Sequence, residues 1–336
     1  MSDPTPKFSV LADANIWISE RLLQSTIGGA LLYTIISSDS KILLPEIVEL
    51  EIGTVLPELA ERAVANIRRD IGLLKQISGL RISVSVPTVK GVSEGVKERL
   101  DQLSGTINRL PFTFEHAKAA LGRILQKTPP AGENNEQFRD CCIWQAALET
   151  AHHLPVHFLS NDAAFYEGKN RSHGMASVLQ READATRYGI VLHPSIEDFL
   201  KSNGSPTKID EASISKSITT AAMKKLVEIA LKDKPTRTAI ASEKVGLLKI
   251  DGYTTPKSTI IAIAFEVPFT FDEISYDEDK EYREKVKLVL EGVCSYDPNS
   301  RDVSDVEIRS WYEHRSLKSG GSSGRSSSIS AEEAKR

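Results

Sequence analysis

The chain has 336 residues, of which 40% are hydrophobic and 26% charged, and its formal net charge is −4. That length allows two domains with a core each, and that composition excludes a disordered or fibrous protein. The mildly acidic balance excludes a protein that coats nucleic acid by bulk charge, so a nucleic-acid role must rest on a local site.

The opening residues, "MSDPTPKFSV", show no basic stretch followed by an apolar core, so no secretory leader is expected and the expected location is the cytoplasm. "FSVLA" then reads as a short buried strand that runs straight into Asp13. The most apolar run, Ile27 to Ile36, has roughly half the length needed to span a bilayer, and is expected to be a core helix rather than a membrane span. "KILLP" is the second strand. In the helix that follows, Ile47, Val48, Ile52 and Val55 define one face and Glu51 lies on it, whereas Glu46 and Glu49 point to solvent. A long helical region comes next. Its clearest helix carries Val92, Val96, Leu100, Leu103, Ile107 and Leu110 at steps of three and four, a single apolar stripe.

Pro129, Pro130 and Gly132 break the pattern and predict an exposed loop before the helix "FRDCCIWQAALETA". There Asp140 precedes Ile143 and Trp144 on the inward stripe. "VHFLS" is a strand that delivers Asp162, as the first delivers Asp13, and "GIVLH" is the fourth strand. Short apolar strands alternating with amphipathic helices predict an α/β domain with a mainly parallel sheet.

A Ser-, Gly-, Asn- and Pro-containing stretch from Lys201 to Asp210 marks a domain boundary. Beyond it a helix and the strand-like runs "KVGLLKI", "STIIAIAFEV", "VKLVLEGV" and "DVEIRSWY" predict a small α+β domain with an antiparallel sheet. The acidic stretch "FDEISYDEDKEY" is expected to be a solvated hairpin or loop. The expected division is residues 1–202, with a helical insertion at about 57–128, then 203–315, then a flexible Ser/Gly-rich tail at 316–336. Cys141, Cys142 and Cys294 include no C-x-x-C pair and are expected to be buried apolar residues.

Asp13 and Asp162 both fall at the carboxyl ends of parallel strands, where open sheets bind ligands. A lone Asp in such a place is usually a turn or helix cap. Four acids, Asp13, Glu51, Asp140 and Asp162, arriving together would repel one another unless a cation joined them. Oxygen-only donors suit Mg²⁺ or Mn²⁺ rather than zinc.

The motifs "LADAN", "LPEIVELE", "RDCCIWQAAL" and "FLSNDAAF", in this order, resemble the PIN-domain ribonuclease family over about the first 200 residues. The resemblance implies a three-layer α/β/α fold and a nuclease that cuts phosphodiesters, usually of RNA, with Mg²⁺ or Mn²⁺, leaving 5′-phosphate and 3′-hydroxyl ends. It makes Asp13, Glu51, Asp140 and Asp162 the catalytic and metal-holding acids, with Asn15, Ser160 and Asn161 supporting them. Arg139, Lys169 and Arg171 are the candidate phosphate contacts, against the alternative of a solvated basic loop. Two features depart from the family. Ala164 stands where many members have a further aspartate, and the stretch from Glu51 to Asp140 is longer than in compact members. Two alternatives stay open: a PIN-fold binding or interaction module with weak or lost catalysis, and a phosphohydrolase with Asp13 as nucleophile, which expects an aspartate where Asn15 stands. The C-terminal domain is the candidate contact for a protein partner or a second copy.

Overall fold

The computed structural model describes residues 8–132, 136–231, 238–257, 259–277, 280–316 and 322–328. The chain divides into two compact units, with the main boundary between Asn203 and Gly204 and the short stretch Gly29–Tyr33 grouped with the second.

The first unit is built on five parallel strands in the order β3-β2-β1-β4-β5. They are β1 (Ser9–Ala12), β2 (Lys41–Pro45), β3 (Ile107–Leu110), β4 (Val156–Leu159) and β5 (Ile190–His193). Every residue of β1 is buried, as a central strand covered on both faces requires. The helices are α1 (Ala14–Ser19), α2 (Thr26–Ser37), α3 (Glu46–Ser78), α4 (Val89–Gln102), α5 (Phe114–Gln126), α6 (Phe138–Ala151), α7 (Ser177–Asp184) and α8 (Ile196–Asn203). They flank the sheet in a three-layer α/β/α arrangement. Ile27, Leu31 and Ile35 of α2 are buried, and no described helix is long and apolar enough to cross a membrane.

The apolar stripe expected as one helix from Val92 to Leu110 is divided. Helix α4 ends at Gln102, and Ile107–Leu110 pairs with β2 as the edge strand β3. Two acids expected to face solvent make contacts at this edge. Glu49 pairs with Arg109 at 3.0 Å, and the Glu46 carboxylate accepts from the Phe112 N–H at 2.8 Å. The region read as an insertion therefore contains a strand of the sheet. The expected exposed loop also turns inward: Pro130 and Ala131 are buried, and Ala131 packs with Ala120, Cys141 and Cys142. Residues 133–135 of that loop lie outside the described residues.

The second unit packs helix α9 (Glu211–Leu231) on an antiparallel sheet of β6 (Ala239–Val245), β7 (Lys249–Thr254), β8 (Ile261–Asp277), β9 (Lys280–Asp297), β10 (Asp302–Ser316) and β11 (Ser322–Ser328). Its core joins Ile214, Ile218 and Leu226 of the helix to Phe269, Phe271, Leu288 and Leu290 of the sheet. The run "KVGLLKI" is two strands, β6 and β7, rather than one. The acidic stretch is the β8–β9 hairpin, closed by the Asp277–Lys280 pair, with residues 278–279 outside the described set. Part of it is core rather than solvated: Phe271 and Glu273 are buried, and Glu273 pairs with Arg315 at 2.8 Å. Part of the Ser/Gly-rich segment expected as a tail is strand β11, paired antiparallel with β10. Backbone pairing to an open edge needs no apolar side chain.

Candidate active site

The site begins with the alignment of two parallel strands. Pairing sets Ala12 of β1 opposite Leu159 of β4, so the residues that follow, Asp13 and Ser160, leave the sheet side by side. The Asp13 N–H donates to the Leu159 carbonyl at 2.9 Å, and the Ser160 hydroxyl donates to the Asp13 carboxylate (Oδ2) at 2.9 Å. Asp13 occupies the N-cap position of α1, yet its side chain makes no capping hydrogen bond. The carboxylate is buried and turned toward β4. The usual side-chain cap bond is missing here, and only the first N–H of α1, at Ala14, acts on the carboxylate.

Ser160 is completely buried and holds three groups at once. Besides its bond to Asp13, its Oγ accepts from the Asp162 N–H at 3.1 Å, and its carbonyl accepts from the Tyr166 hydroxyl at 2.7 Å. Asp162 is half-buried at the end of the same strand. One of its carboxylate oxygens accepts from the Ala164 N–H at 2.8 Å, so here the turn-capping role is present.

The other two acids come from helices. Val48 and Ile52 of α3 are fully buried, and Glu51 between them is mostly covered. Asp140 is half-buried in the first turn of α6, whose next four residues, Cys141 to Trp144, are buried. Trp144 anchors α6 by donating from Nε1 to Glu182 at 2.7 Å, and Glu182 also pairs with Arg123.

The charges of these four acids act on one another. Burial pushes the Asp13 carboxyl up to about 6; the negative charges of Asp162 and Glu51 add to this, and the Ser160 hydrogen bond opposes it. Burial also pushes the Asp140 carboxyl up to about 8, helped by Asp13, Asp162 and Glu51 and opposed by Arg139. The two carboxyls feel the charges of the other acids, so β1, β4, α3 and α6 bring the four within electrostatic reach of one another. Among the described residues, no group of three or more His, Cys, Asp and Glu side chains stands in a geometry that could hold a metal ion as it is. Three of the four acids are drawn to partners instead: Asp13 to Ser160, Asp162 to Ala164, and Glu51 to Arg139 at 2.6 Å. The donor chemistry nevertheless fits a hard divalent cation, since the set is oxygen only and such an ion would offset the cost of keeping these carboxylates charged while buried.

The family model of the PIN domain matches residues 10–165. The chain carries a PIN domain. Comparison with curated proteins and with solved structures gives no match. The PIN domain is a nuclease-type fold, and the matched span contains all four acids.

The other residues singled out from the sequence fall in different places around the PIN-domain acids. Ser160 meets Asp13 and Asp162. Asn15 is exposed on the first turn of α1, and Asn161 is half-buried between Ser160 and Asp162. Arg139 lies at the site but pairs with Glu51, so it is engaged with a carboxylate rather than open to a phosphate. Lys169 and Arg171 lie in tight turns after Asp162, closed by a bridge between Tyr166 and Met175. Lys169 is exposed, while the charge of Arg171 reaches the Tyr166 hydroxyl. Tyr166 was missed by sequence reasoning. Its place four residues after Asp162, in "NDAAFY", was the available signal, because a buried phenol needs a partner near the strand end.

Proposed function

We propose that this PIN domain is a Mg²⁺- or Mn²⁺-dependent nuclease that hydrolyses phosphodiester bonds, with RNA as substrate, leaving 5′-phosphate and 3′-hydroxyl ends. The observation that carries the reading is the Asp13 carboxylate: buried, without a side-chain cap bond to its own helix, oriented by Ser160, and raised first by that burial and then by the charges of Asp162 and Glu51. Asp13, Asp140 and Asp162, with Glu51, would hold the cation. A bound divalent ion polarises the scissile phosphate and lowers the pKa of the attacking water.

The chain's own residues prepare that chemistry. Ser160 fixes which Asp13 oxygen is engaged and leaves the other lone pairs available. Asp140, pushed up to about 8 first by burial, would have to lose its proton to hold a cation, so cation affinity should rise with pH. Arg139, beside Asp140, and Lys169 and Arg171, in the turns after Asp162, are the candidate phosphate contacts.

The test is cleavage of a mixed pool of RNA and single-stranded DNA, with the cut ends sequenced. Asp13→Asn and Asp162→Asn should fold and lose at least about a hundredfold in rate with Mn²⁺ present. Wild-type rates in either variant, from protein free of contaminating nuclease, would overturn the assignment. A second reading, a binding module with weak or lost catalysis, is favoured by Ala164 and by the engagement of Glu51 with Arg139. It predicts RNA binding without cut ends in the same experiment.

A further inference from the structure

Arg139 and Glu51 join two helices that each supply an acid to the site. The Arg139 Nη1 sits 2.6 Å from the Glu51 Oε1, with the glutamate side chain 18% exposed and the arginine 59% exposed. The asymmetry matters. Glu51 is too covered to exchange its partner for bulk water cheaply, whereas the guanidinium already has solvent on its outer side and is free to swing. Arg139 is also the second residue of the 14-residue helix α6. A positive charge at a helix N-terminus faces the positive end of the macrodipole and is mildly disfavoured there, so an anion beside it is stabilising. Glu51 is that anion here.

We infer that Arg139 and the catalytic cation compete for Glu51, so that cation binding releases the Arg139 guanidinium to a substrate phosphate. The inference rests on the proposed metal-dependent nuclease. A dication held by Asp13, Asp140 and Asp162 would attract Glu51 and repel the guanidinium paired with it, because charges in a partly buried site are weakly screened. With Glu51 engaged by the cation, the guanidinium would lose its ion-pair partner, and a phosphate would match its fork of donors. Arg139 is in this account a positioning residue for Glu51 and then a substrate contact. Cation and phosphate bind cooperatively because the same arginine blocks one and meets the other.

The experiment is a double-mutant cycle on the full chain, reading Mn²⁺ affinity by calorimetry for wild type, Arg139→Gln, Glu51→Gln and the double variant. Arg139→Gln should tighten Mn²⁺ by about three- to fivefold when Glu51 is present, and should change nothing once Glu51 is Gln. Arg139→Lys keeps the charge and should keep the competition. A nucleoside 5′-monophosphate, which offers no bond to cut, then reports the second half. Mn²⁺ should strengthen its binding in wild type, and Arg139→Gln should remove most of that gain. Equal tightening of Mn²⁺ in both Glu51 backgrounds would mean that Arg139 acts by bulk charge alone, and an undiminished Mn²⁺ gain in nucleotide affinity would mean that no arginine is delivered. Either result overturns this inference and leaves the nuclease reading standing. Failure of wild type to bind Mn²⁺ at all would overturn both.

Discussion

Asp13 and Asp140 hold their protons longer in the folded chain than in the unfolded one, at about 6 and about 8 against an ordinary 3.8. Between those limits the native state binds more protons than the unfolded state, so the stability they lend is present below about pH 4 and is lost as pH rises through the folded values. The site is therefore a burden on the cation-free protein at neutral pH. Asp140→Asn should stabilise the chelator-treated protein at pH 8 by on the order of 1 kcal/mol, about 2–4 °C for a unit of this size, while abolishing cleavage. Thermal melts at pH 5 and pH 8 check this, with the gain shrinking at pH 5. His157 works in the opposite direction: burial, with His193 beside it, pulls its imidazole down to about 4. Its contribution is present above about pH 6.5 and is lost as pH falls toward 4. Ser160→Ala removes a donor to Asp13 and the acceptor for the Asp162 N–H, and should cost about 1–3 kcal/mol together with activity.

At the scale of elements, what was legible in the sequence was whatever repeats with a period. Four of the five parallel strands were read from short apolar runs, and the placing of Asp13 and Asp162 at strand ends and Glu51 and Asp140 on helices followed from the same runs. Strand β3 was not legible, because Ile107 and Leu110 happen to continue the three-and-four spacing of Val96, Leu100 and Leu103 while the Ser104–Gly105 turn breaks the helix. Strand β11 was hidden because Ser and Gly carry no apolar pattern. The pairing of Arg139 with Glu51 was invisible because the two residues meet only through the packing of α3 on α6. Another long-range contact was equally silent. Arg21, Leu22 and Leu23 all have positive φ, a left-handed turn that strains bulky side chains. Arg99 of α4 donates to the Leu22 and Leu23 carbonyls at 3.2 and 3.4 Å and holds that turn closed. Arg99→Met should destabilise the first unit by about 1–3 kcal/mol, measured by denaturant unfolding. The turns after Asp162 offer a separate test. Replacing Lys169 and Arg171 with Ala should flatten the slope of log affinity for single-stranded RNA against log salt by about 1.4, the share of two phosphate contacts, and an unchanged slope would return both residues to a solvated loop.

For the whole molecule, the division of labour follows from where the cores and the acids lie. Each unit has its own apolar interior: the parallel sheet and its helices in the first, and α9 against the long antiparallel strands in the second. All four acids, Ser160 and Tyr166 precede the boundary at Asn203, so a fragment ending there contains the whole candidate site and every strand that positions it. It should fold and bind Mn²⁺ on its own. The second unit carries none of the candidate acids. Its open sheet edges suit pairing with another chain, which makes it the proposed contact for a partner or a second copy. The comparison is between this fragment and the full chain, with cleavage of a short RNA followed in parallel with mass by light scattering. Cleavage should survive in the fragment, and assembly state or choice of target should change. A folded fragment that binds Mn²⁺ but cuts nothing the full chain cuts would mean that the second unit contributes directly to turnover. Phosphate contacts would then have to be sought among its lysines and arginines rather than at Lys169 and Arg171.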